Sequence, residues 1–428
     1  MSAPVTRKPQ RRGACPGLSA PMPTGDGLLA RLSTTDTIPL AAFAALCKAA
    51  RIYGNGVVEV TSRGSLQVRG LSEASASRFA DAIAALVISA EDGVPVLCNA
   101  LAGLDAGEIF DSTPFAKHLR QRIAQGALAT RLSPKVSIVI DDGGAIGLDA
   151  VAADIRLRAE RRHGDVALDV SVGGNDSHAS KLGSIAPSYG VEAAIGLLDV
   201  IARHGHEARA RDVLATEGAK AFHAAFKKAV LAPLDSRLRG NERTTPIDTF
   251  PLRDGTLAIG VGLAFGHADS DALERLVDAA DAAGAIGLRT APGRTVLTIG
   301  VAPDSAAAFV PRAESLGFIT RADDPRRRVI ACAGAPICAS AHIASRALAP
   351  AIAADAADLD GTIHISGCAK GCAHAAAAAL TIVGTAEGCA MIANGSVRAA
   401  PFAVVPENEL RVAIRDQVRE HRQEAAHV

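Results

Sequence analysis

The chain has 428 residues, 49% of them apolar, which suits two or three domains with sizeable cores and excludes global disorder. Its 45 lysines and arginines equal its 45 aspartates and glutamates, so no net field holds a polyanion and nucleic acid is not expected as a partner. Aromatic residues make up only 3%, with no tryptophan, so stacking on bases or sugars is weakly supplied. Residues 1–16 carry Arg7, Lys8, Arg11 and Arg12 without an apolar core, the pattern of a mobile arm and not of an export signal. The longest small-apolar stretch, residues 373–383, falls short of the ~20 residues a membrane span needs. The protein is therefore expected in the cytoplasm with no membrane partner. There its eight cysteines serve as ligands or buried thiols in preference to disulfides.

In chain order, Gly25-Asp26-Gly27 reads as a turn and residues 28–32 as an extended run. Residues 39–50 have helical spacing, with Ala42, Phe43, Leu46 and Ala49 on one face. Residues 57–60 form a β-branched strand, and Thr61-Ser62-Arg63-Gly64 leads into the alternating Leu66 and Val68. Residues 115–127 read as a helix, 135–140 as a strand, 154–158 as extended, and 191–202 and 208–229 as helices. Arg156, Arg158, Arg161 and Arg162 read as a solvated face. The polar, proline-bounded segment 233–249 is the best linker. The first order then repeats: a turn at 251–255, a strand at 256–263, and a helix at 271–283 with Leu273, Leu276, Val277 and Ala280 on one face. Pro292-Gly293-Arg294 and residues 296–299 stand where Thr61 to Val68 stood, with Gly293 matching Gly64. Such a long period indicates an internal duplication with two-fold related halves. Residues 340–357 read as an alanine-rich helix, 362–365 and 381–383 as strands, and 407–424 as a charged helix.

Four cysteines are grouped: Cys332 and Cys338 bracket five residues, and Cys368 and Cys372 bracket three. Four thiolates on two loops of small residues suit an iron–sulfur cubane, because small side chains let backbone N–H groups approach the cluster sulfurs. Zinc prefers two to four residues between paired ligands, so the five-residue gap suits it poorly; four unliganded buried thiols are the third reading. Lys370, between two of these cysteines, offsets thiolate charge or is a solvated loop lysine. His374, beside Cys372, is the candidate catalytic proton donor. Cys47 and Cys98 lie in apolar runs and read as core.

The Cys-x5-Cys and Gly-Cys-x3-Cys frame, with a duplicated α/β unit upstream, resembles the sulfite and nitrite reductase superfamily. Ala14-Cys15-Pro16-Gly17-Leu18, the run from Pro21 to Arg31 (Pro-Met-Pro-Thr-Gly-Asp-Gly-Leu-Leu-Ala-Arg), Thr61-Ser62-Arg63-Gly64-Ser65-Leu66-Gln67 and Ser366-Gly367-Cys368-Ala369-Lys370-Gly371-Cys372-Ala373-His374 look more closely like the precorrin-3B synthase family of aerobic cobalamin synthesis. The resemblance runs from about residue 14 to residue 383. It implies an α+β protein with an internal pseudo-two-fold: an arm (1–16), a ferredoxin-like half-domain (17–90), a nitrite/sulfite reductase-like α/β domain (91–232), a linker (233–249), a second ferredoxin-like half-domain (250–305) and a second α/β domain carrying the cluster (306–428).

By the same resemblance the protein is an oxidoreductase, a monooxygenase that hydroxylates precorrin-3A with dioxygen at the meso carbon between rings A and D. The ring A acetate then closes as a γ-lactone. Cys332, Cys338, Cys368 and Cys372 would hold a 4Fe-4S cluster fed by an external electron donor, and Cys372 matches the thiolate that in the reductases also bridges to siroheme iron. Arg63 matches an arginine of the reductase anion site and Lys135 the first lysine of Pro-x-Lys-Phe-Lys. Ser137 replaces the second lysine, and Gly93, Val94 and Pro95 replace a further arginine. Fewer cations make a weaker trap for a small oxyanion, whereas Arg63, Arg69, Lys135, Arg289 and Arg294 could pair with the spread-out carboxylates of a tetrapyrrole. A separate mononuclear non-heme iron would answer the need to activate dioxygen, but no clear two-histidine, one-carboxylate set is visible. The alternatives are a siroheme-dependent sulfite or nitrite reductase and a non-enzymatic iron–sulfur electron carrier.

Overall fold

The computed structural model of the protein describes residues 16–34, 36–86, 88, 93–126, 128–162, 164–229 and 244–425. The expected arm over 1–16 lies outside these apart from Pro16, and of the expected linker only 244–249 are described. Four units follow one another, each built on a five-stranded sheet.

The first contains β1 (Met22–Thr24), β2 (Gly27–Leu32), β3 (Ile38–Pro39), α1 (Leu40–Tyr53), β4 (Val57–Val60), β5 (Leu66–Leu71) and α2 (Glu73–Ala84). Phe43, Leu46, Cys47 and Ala50 recur at helical spacing on the buried face of α1, and the helix stops at Gly54. The second unit contains β6 (Val96–Cys98), α3 (Ser112–Gln125), α4 (Leu128–Arg131), β7 (Ile138–Asp141), β8 (Ala153–Arg162), β9 (Asp165–Gly174), β10 (Ser180–Ile185), α5 (Pro187–Arg203), α6 (Ala210–Glu217) and α7 (Lys220–Ala229). The helix expected over 208–229 is broken at Gly218, whose φ of 65° no helix tolerates.

The third unit contains β11 (Thr249–Pro251), β12 (Leu257–Gly262), β13 (His267–Asp269), α8 (Ser270–Ala282), β14 (Gly287–Ala291), β15 (Thr295–Val301) and α9 (Pro303–Ser315). The fourth contains β16 (Val329–Ala331), α10 (Ser345–Asp355), β17 (Ile363–Ser366), β18 (Ala378–Thr385), β19 (Gly388–Gly395), β20 (Ala403–Val405) and α11 (Leu410–Ala425).

The repeat runs through all four. Sheets β1-β2-β5-β4-β13 and β11-β12-β15-β14-β3 are antiparallel and trade strands: β13 pairs with β4, and β3 with β14. Each exchanged strand leads directly into a helix, α1 or α8, and these two helices pack together in one shared core. The other two sheets, β6-β7-β8-β9-β10 and β16-β17-β18-β19-β20, share a pattern of two parallel pairings followed by two antiparallel ones. This is the expected α+β fold with its internal pseudo-two-fold.

The matching turns meet where the halves meet. Gly293 N–H donates to Ser62 O at 3.1 Å, and the Thr290 hydroxyl donates to Gly64 O. Gly64 and Gly293 have φ values of 82° and 77°, the left-handed region that favours glycine.

Candidate functional site

Cys332 follows β16 directly and is tied by its N–H to Ile365 O of the neighbouring β17 at 3.1 Å. Cys368 follows β17 in turn, so two adjacent parallel strands deliver one cysteine from each pair. Gly367 N–H donates to the Cys332 sulfur at 3.0 Å, a contact open only to a residue whose chain can come this close. Side chains would be in the way at several of these positions. A Cβ at Gly25 would strike the Cys338 sulfur, one at Gly334 (φ 66°) would strike Ser345 N, and one at Gly371 (φ 61°) would lie 2.8 Å from Val397. Residues 340–344, expected as helix, continue this loop instead: His342 N–H donates to Gly367 O at 2.7 Å, and α10 starts only at Ser345, whose hydroxyl lies 3.5 Å from the Cys332 sulfur.

The other three thiols lie within electrostatic reach of Cys372. Burial pushes the Cys372 thiol up, Cys368, Cys332 and Cys338 push it the same way, and Arg69 opposes them. Among the described residues no three His, Cys, Asp or Glu side chains converge on a single metal ion. A cubane makes no such demand, since each of its irons takes one cysteine. Four free thiols around a glycine-built cradle, with an N–H aimed at sulfur, fit that group. A mononuclear iron finds no equivalent three-ligand set among the described residues.

Two cavities adjoin the thiols. The smaller, about 220 Å³, is walled by Cys332, Cys372, Arg31, Arg69, Arg294 and Glu59. The larger, about 660 Å³, is walled by Arg31, Arg63, Lys135, Arg209 and Asn99, and again by Cys372. Arg31 and Cys372 line both, so the larger space opens onto the thiol group.

Arg63 sits at the larger cavity and donates to Ser137 Oγ at 3.2 Å and Ala152 O at 2.9 Å. Ser137 is held in turn, its N–H donating to Asp154 at 2.9 Å. Asp154, buried, is gripped by Arg209 Nε and Nη2 at 2.9 Å and 2.7 Å. Lys135 is exposed at the cavity mouth. Arg294 (φ 63°) lines the smaller cavity, and its guanidinium makes no hydrogen bond among the described residues. Burial lowers its pKa, with Glu59 opposing.

Arg69 is committed elsewhere, donating from Nε and Nη2 to the two Asp26 oxygens, both at 2.8 Å. Arg289 lines neither cavity. It donates to the Thr37 hydroxyl at 2.8 Å and to Ala100 O and Ala102 O at 3.2 Å and 3.0 Å, cross-linking the units. His374 lies edge-on to His364, ring centroids 5.6 Å apart. His364 is fully buried with neither ring nitrogen hydrogen-bonded; burial, helped by His374 and Arg294, takes its pKa down to about 4.

Sequence reading missed Arg31, Arg209, Glu59 and Arg346. Arg31 left a signal, as the single charge in the apolar strand β2. Arg209 left none, because its partner Asp154 lies far away in the chain and the pair forms only in the fold.

Comparison with known proteins places this geometry. Residues 21–86 match the nitrite/sulfite reductase ferredoxin-like half domain family. The Mycobacterium tuberculosis NirA protein has the same fold, with a TM-score of 0.71 at 17% identity over 92% of this chain and 80% of that one. A precorrin-3B synthase from Sinorhizobium sp is 39% identical over 409 residues, which is 94% of this chain and 87% of the relative. On that extent of identity, carried on a nitrite/sulfite reductase-like fold, the chain belongs to the precorrin-3B synthase family.

Proposed function

We propose that the protein is the oxygenase that forms precorrin-3B, hydroxylating precorrin-3A at the meso carbon between rings A and D and closing the ring A acetate as a γ-lactone. One oxygen atom of dioxygen enters the macrocycle and the other leaves as water, with two electrons and two protons from outside the substrate. The observation that carries this reading is the continuity at Cys372 of a cation-walled cavity with a four-thiol cradle. Arg63 and Lys135, with Arg31, face the larger space at separated points, an arrangement suited to the carboxylates around a tetrapyrrole rim. Arg294 marks the end nearest the cysteines and is available to a carboxylate there.

Cys332, Cys338, Cys368 and Cys372 would hold a 4Fe-4S cluster, which supplies single electrons taken from an external donor. The chain's own residues bind and orient the substrate: Ser137 and Ala152 fix Arg63, and the Arg209–Asp154 pair fixes Ser137. His374, two residues beyond Cys372 and edge-on to His364, lines neither cavity, and burial lowers its pKa, so it would act near the thiols only as a neutral imidazole. No helix among the described residues is long and apolar enough to cross a membrane, and the reaction is assigned to a reducing cytoplasm that keeps the thiols available.

The test is anoxic purification followed by absorption spectroscopy, iron and sulfide assays and acid–acetone pigment extraction, then incubation with precorrin-3A, dioxygen and a reducing system. A cluster spectrum, no extractable siroheme, and oxygen-dependent conversion of precorrin-3A are expected. Stoichiometric siroheme with turnover of sulfite or nitrite would overturn the reading in favour of a reductase.

A further inference from the structure

The Pro23-Thr24-Gly25-Asp26-Gly27 turn joins β1 to β2 and has no part in the substrate cavity, yet it touches the thiol loops twice. Gly25 packs against the Cys338 sulfur, where no side chain fits, and its carbonyl accepts from Ala339 N–H at 3.0 Å. One residue on, Asp26 is buried (1% of its side chain exposed) and holds Arg69 through two parallel hydrogen bonds, the geometry in which a guanidinium is most firmly oriented. Thr24 Oγ1 donates to Asp26 at 2.7 Å, fixing the carboxylate in turn. Arg69 and Cys372 line the same small cavity. Behind Arg69 the charges alternate: Glu59 lies 3.7 Å from Arg69 and 2.5 Å from Arg346. Arg346 stands in the first turn of α10, next to the Ser345 that approaches Cys332.

We propose that Arg69, oriented by Asp26, sets the reduction potential of the iron–sulfur cluster from the Cys372 side. The inference rests on the reading that the four cysteines hold a 4Fe-4S cluster. Reduction adds one electron to a cluster that already carries four thiolates. A fixed cation close by stabilises the reduced state more than the oxidised one, and a fixed anion does the reverse. Because the site is partly closed to water, a charge held here acts more strongly than the same charge on the surface. Burial alone would lower the pKa of Arg69, but Asp26, Glu59 and the Cys372 thiolate raise it, so the guanidinium stays charged throughout. Asp26 therefore has two opposed effects: it aims the cation and partly cancels it. This assigns Arg69 to the cluster and away from substrate carboxylates.

Opposite charge deletions must then move the potential in opposite directions, which a merely structural role would not produce. The experiment is a dye-mediated redox titration, followed by electron paramagnetic resonance, of the cluster-replete full chain and three variants. Arg69→Gln is expected to lower the potential, with the reduced-to-oxidised ratio at fixed potential falling about tenfold, equivalent to about 59 mV for one electron. Asp26→Asn keeps an oxygen for Arg69 Nη2 and Thr24 and loses the Nε bond and the negative charge, so the lost cancellation outweighs the looser aim and the potential is expected to rise. Arg69→Lys, which keeps the charge but not the two-point attachment to Asp26, is expected to lie between the parent and Arg69→Gln. Shifts of the same sign in Arg69→Gln and Asp26→Asn, or none in either, would overturn the proposal. If Arg69→Gln holds no cluster, the upward shift in Asp26→Asn decides alone. A parent protein that contains no cluster by iron, sulfide and spectrum would instead remove the underlying reading.

Discussion

At position 137 stands a hydroxyl where the resemblance to the reductases leads one to expect a lysine, and the fold shows what that hydroxyl does. Ser137 accepts from Arg63 and leaves that guanidinium fixed on the cavity wall, where a second ammonium would have made a compact trap for a small anion. Ser137→Ala removes one hydrogen bond to a charged group, worth about 1.5 kcal/mol. The KM for precorrin-3A is expected to rise roughly tenfold, with kcat and the cluster spectrum unchanged and Ser137→Thr close to the parent. Steady-state kinetics with the cluster content measured in parallel checks this, and an unchanged KM would detach Ser137 from binding. Cys368→Ser replaces a thiolate with a poor iron ligand, so cluster absorption and activity should disappear together. A cluster-replete, active variant would strike Cys368 from the ligand set. That the two cysteine pairs come together was legible in the sequence because each pair is set by local spacing. The Arg209–Asp154–Ser137–Arg63 chain was not, because each link joins residues remote in sequence.

Among elements, the helices were read well wherever apolar residues recur at i, i+3 and i+4, as in α1 and α8. Reading failed where tertiary contacts overrule periodicity. Residues 340–344 open the alanine-rich run 340–357, yet they are drawn into the thiol loop by hydrogen bonds to Cys338 and Gly367. The hairpin β9–β10 went unseen. The arginines of β8 were expected in water, but Arg156 is fully buried and donates to the carbonyls of Val151 and Leu148. Strand β8 is central in its sheet, with β7 on one side and β9 on the other, and this covers Arg156 and Arg162, while Arg158 is half-buried and Arg161 alone of the four is exposed as expected. The paired glycine turns show a different case: matched in the sequence only as equivalent points of a repeat, they touch in the fold. Gly64→Ala forces a Cβ into the left-handed region at a cost of ~1–2 kcal/mol and sets it 2.9 Å from the Ala291 carbonyl carbon. Gly56→Ala has a similar φ, 76°, but its new Cβ meets nothing closer than 3.9 Å. Urea unfolding should therefore place Gly64→Ala clearly below Gly56→Ala; equal midpoints would mean that the meeting of the two turns carries no load.

Over the whole molecule, charge is balanced in number but not in placement. Arginines gather at the two cavities, while Asp105, Glu108, Asp141 and Asp142 are buried together in the second unit. Burial raises Asp142 to about 7; the Gly144 N–H opposes, and the neighbouring Asp141, Glu108 and Asp105 add to the rise. A carboxyl raised in the folded state binds its proton more tightly there than in the unfolded chain. Its stabilising contribution is complete below the unfolded value near 3.8 and is lost as the pH climbs through about 7. Denaturation midpoints measured at pH 5 and pH 8 should fall more for the parent than for Asp142→Asn, and parallel losses would show that Asp142 is ionised throughout.

The exchanged strands β3 and β13 bear on how the protein is made. As the chain leaves the ribosome, the first sheet is complete except for β13, which belongs to a segment translated long after β4. Until then Val57–Val60 presents an open edge, the kind of surface on which nascent chains pair with the wrong neighbour. Folding of the N-terminal unit is thus coupled to synthesis of the C-terminal half, and a message truncated between them would yield a product short of one sheet edge and prone to aggregate.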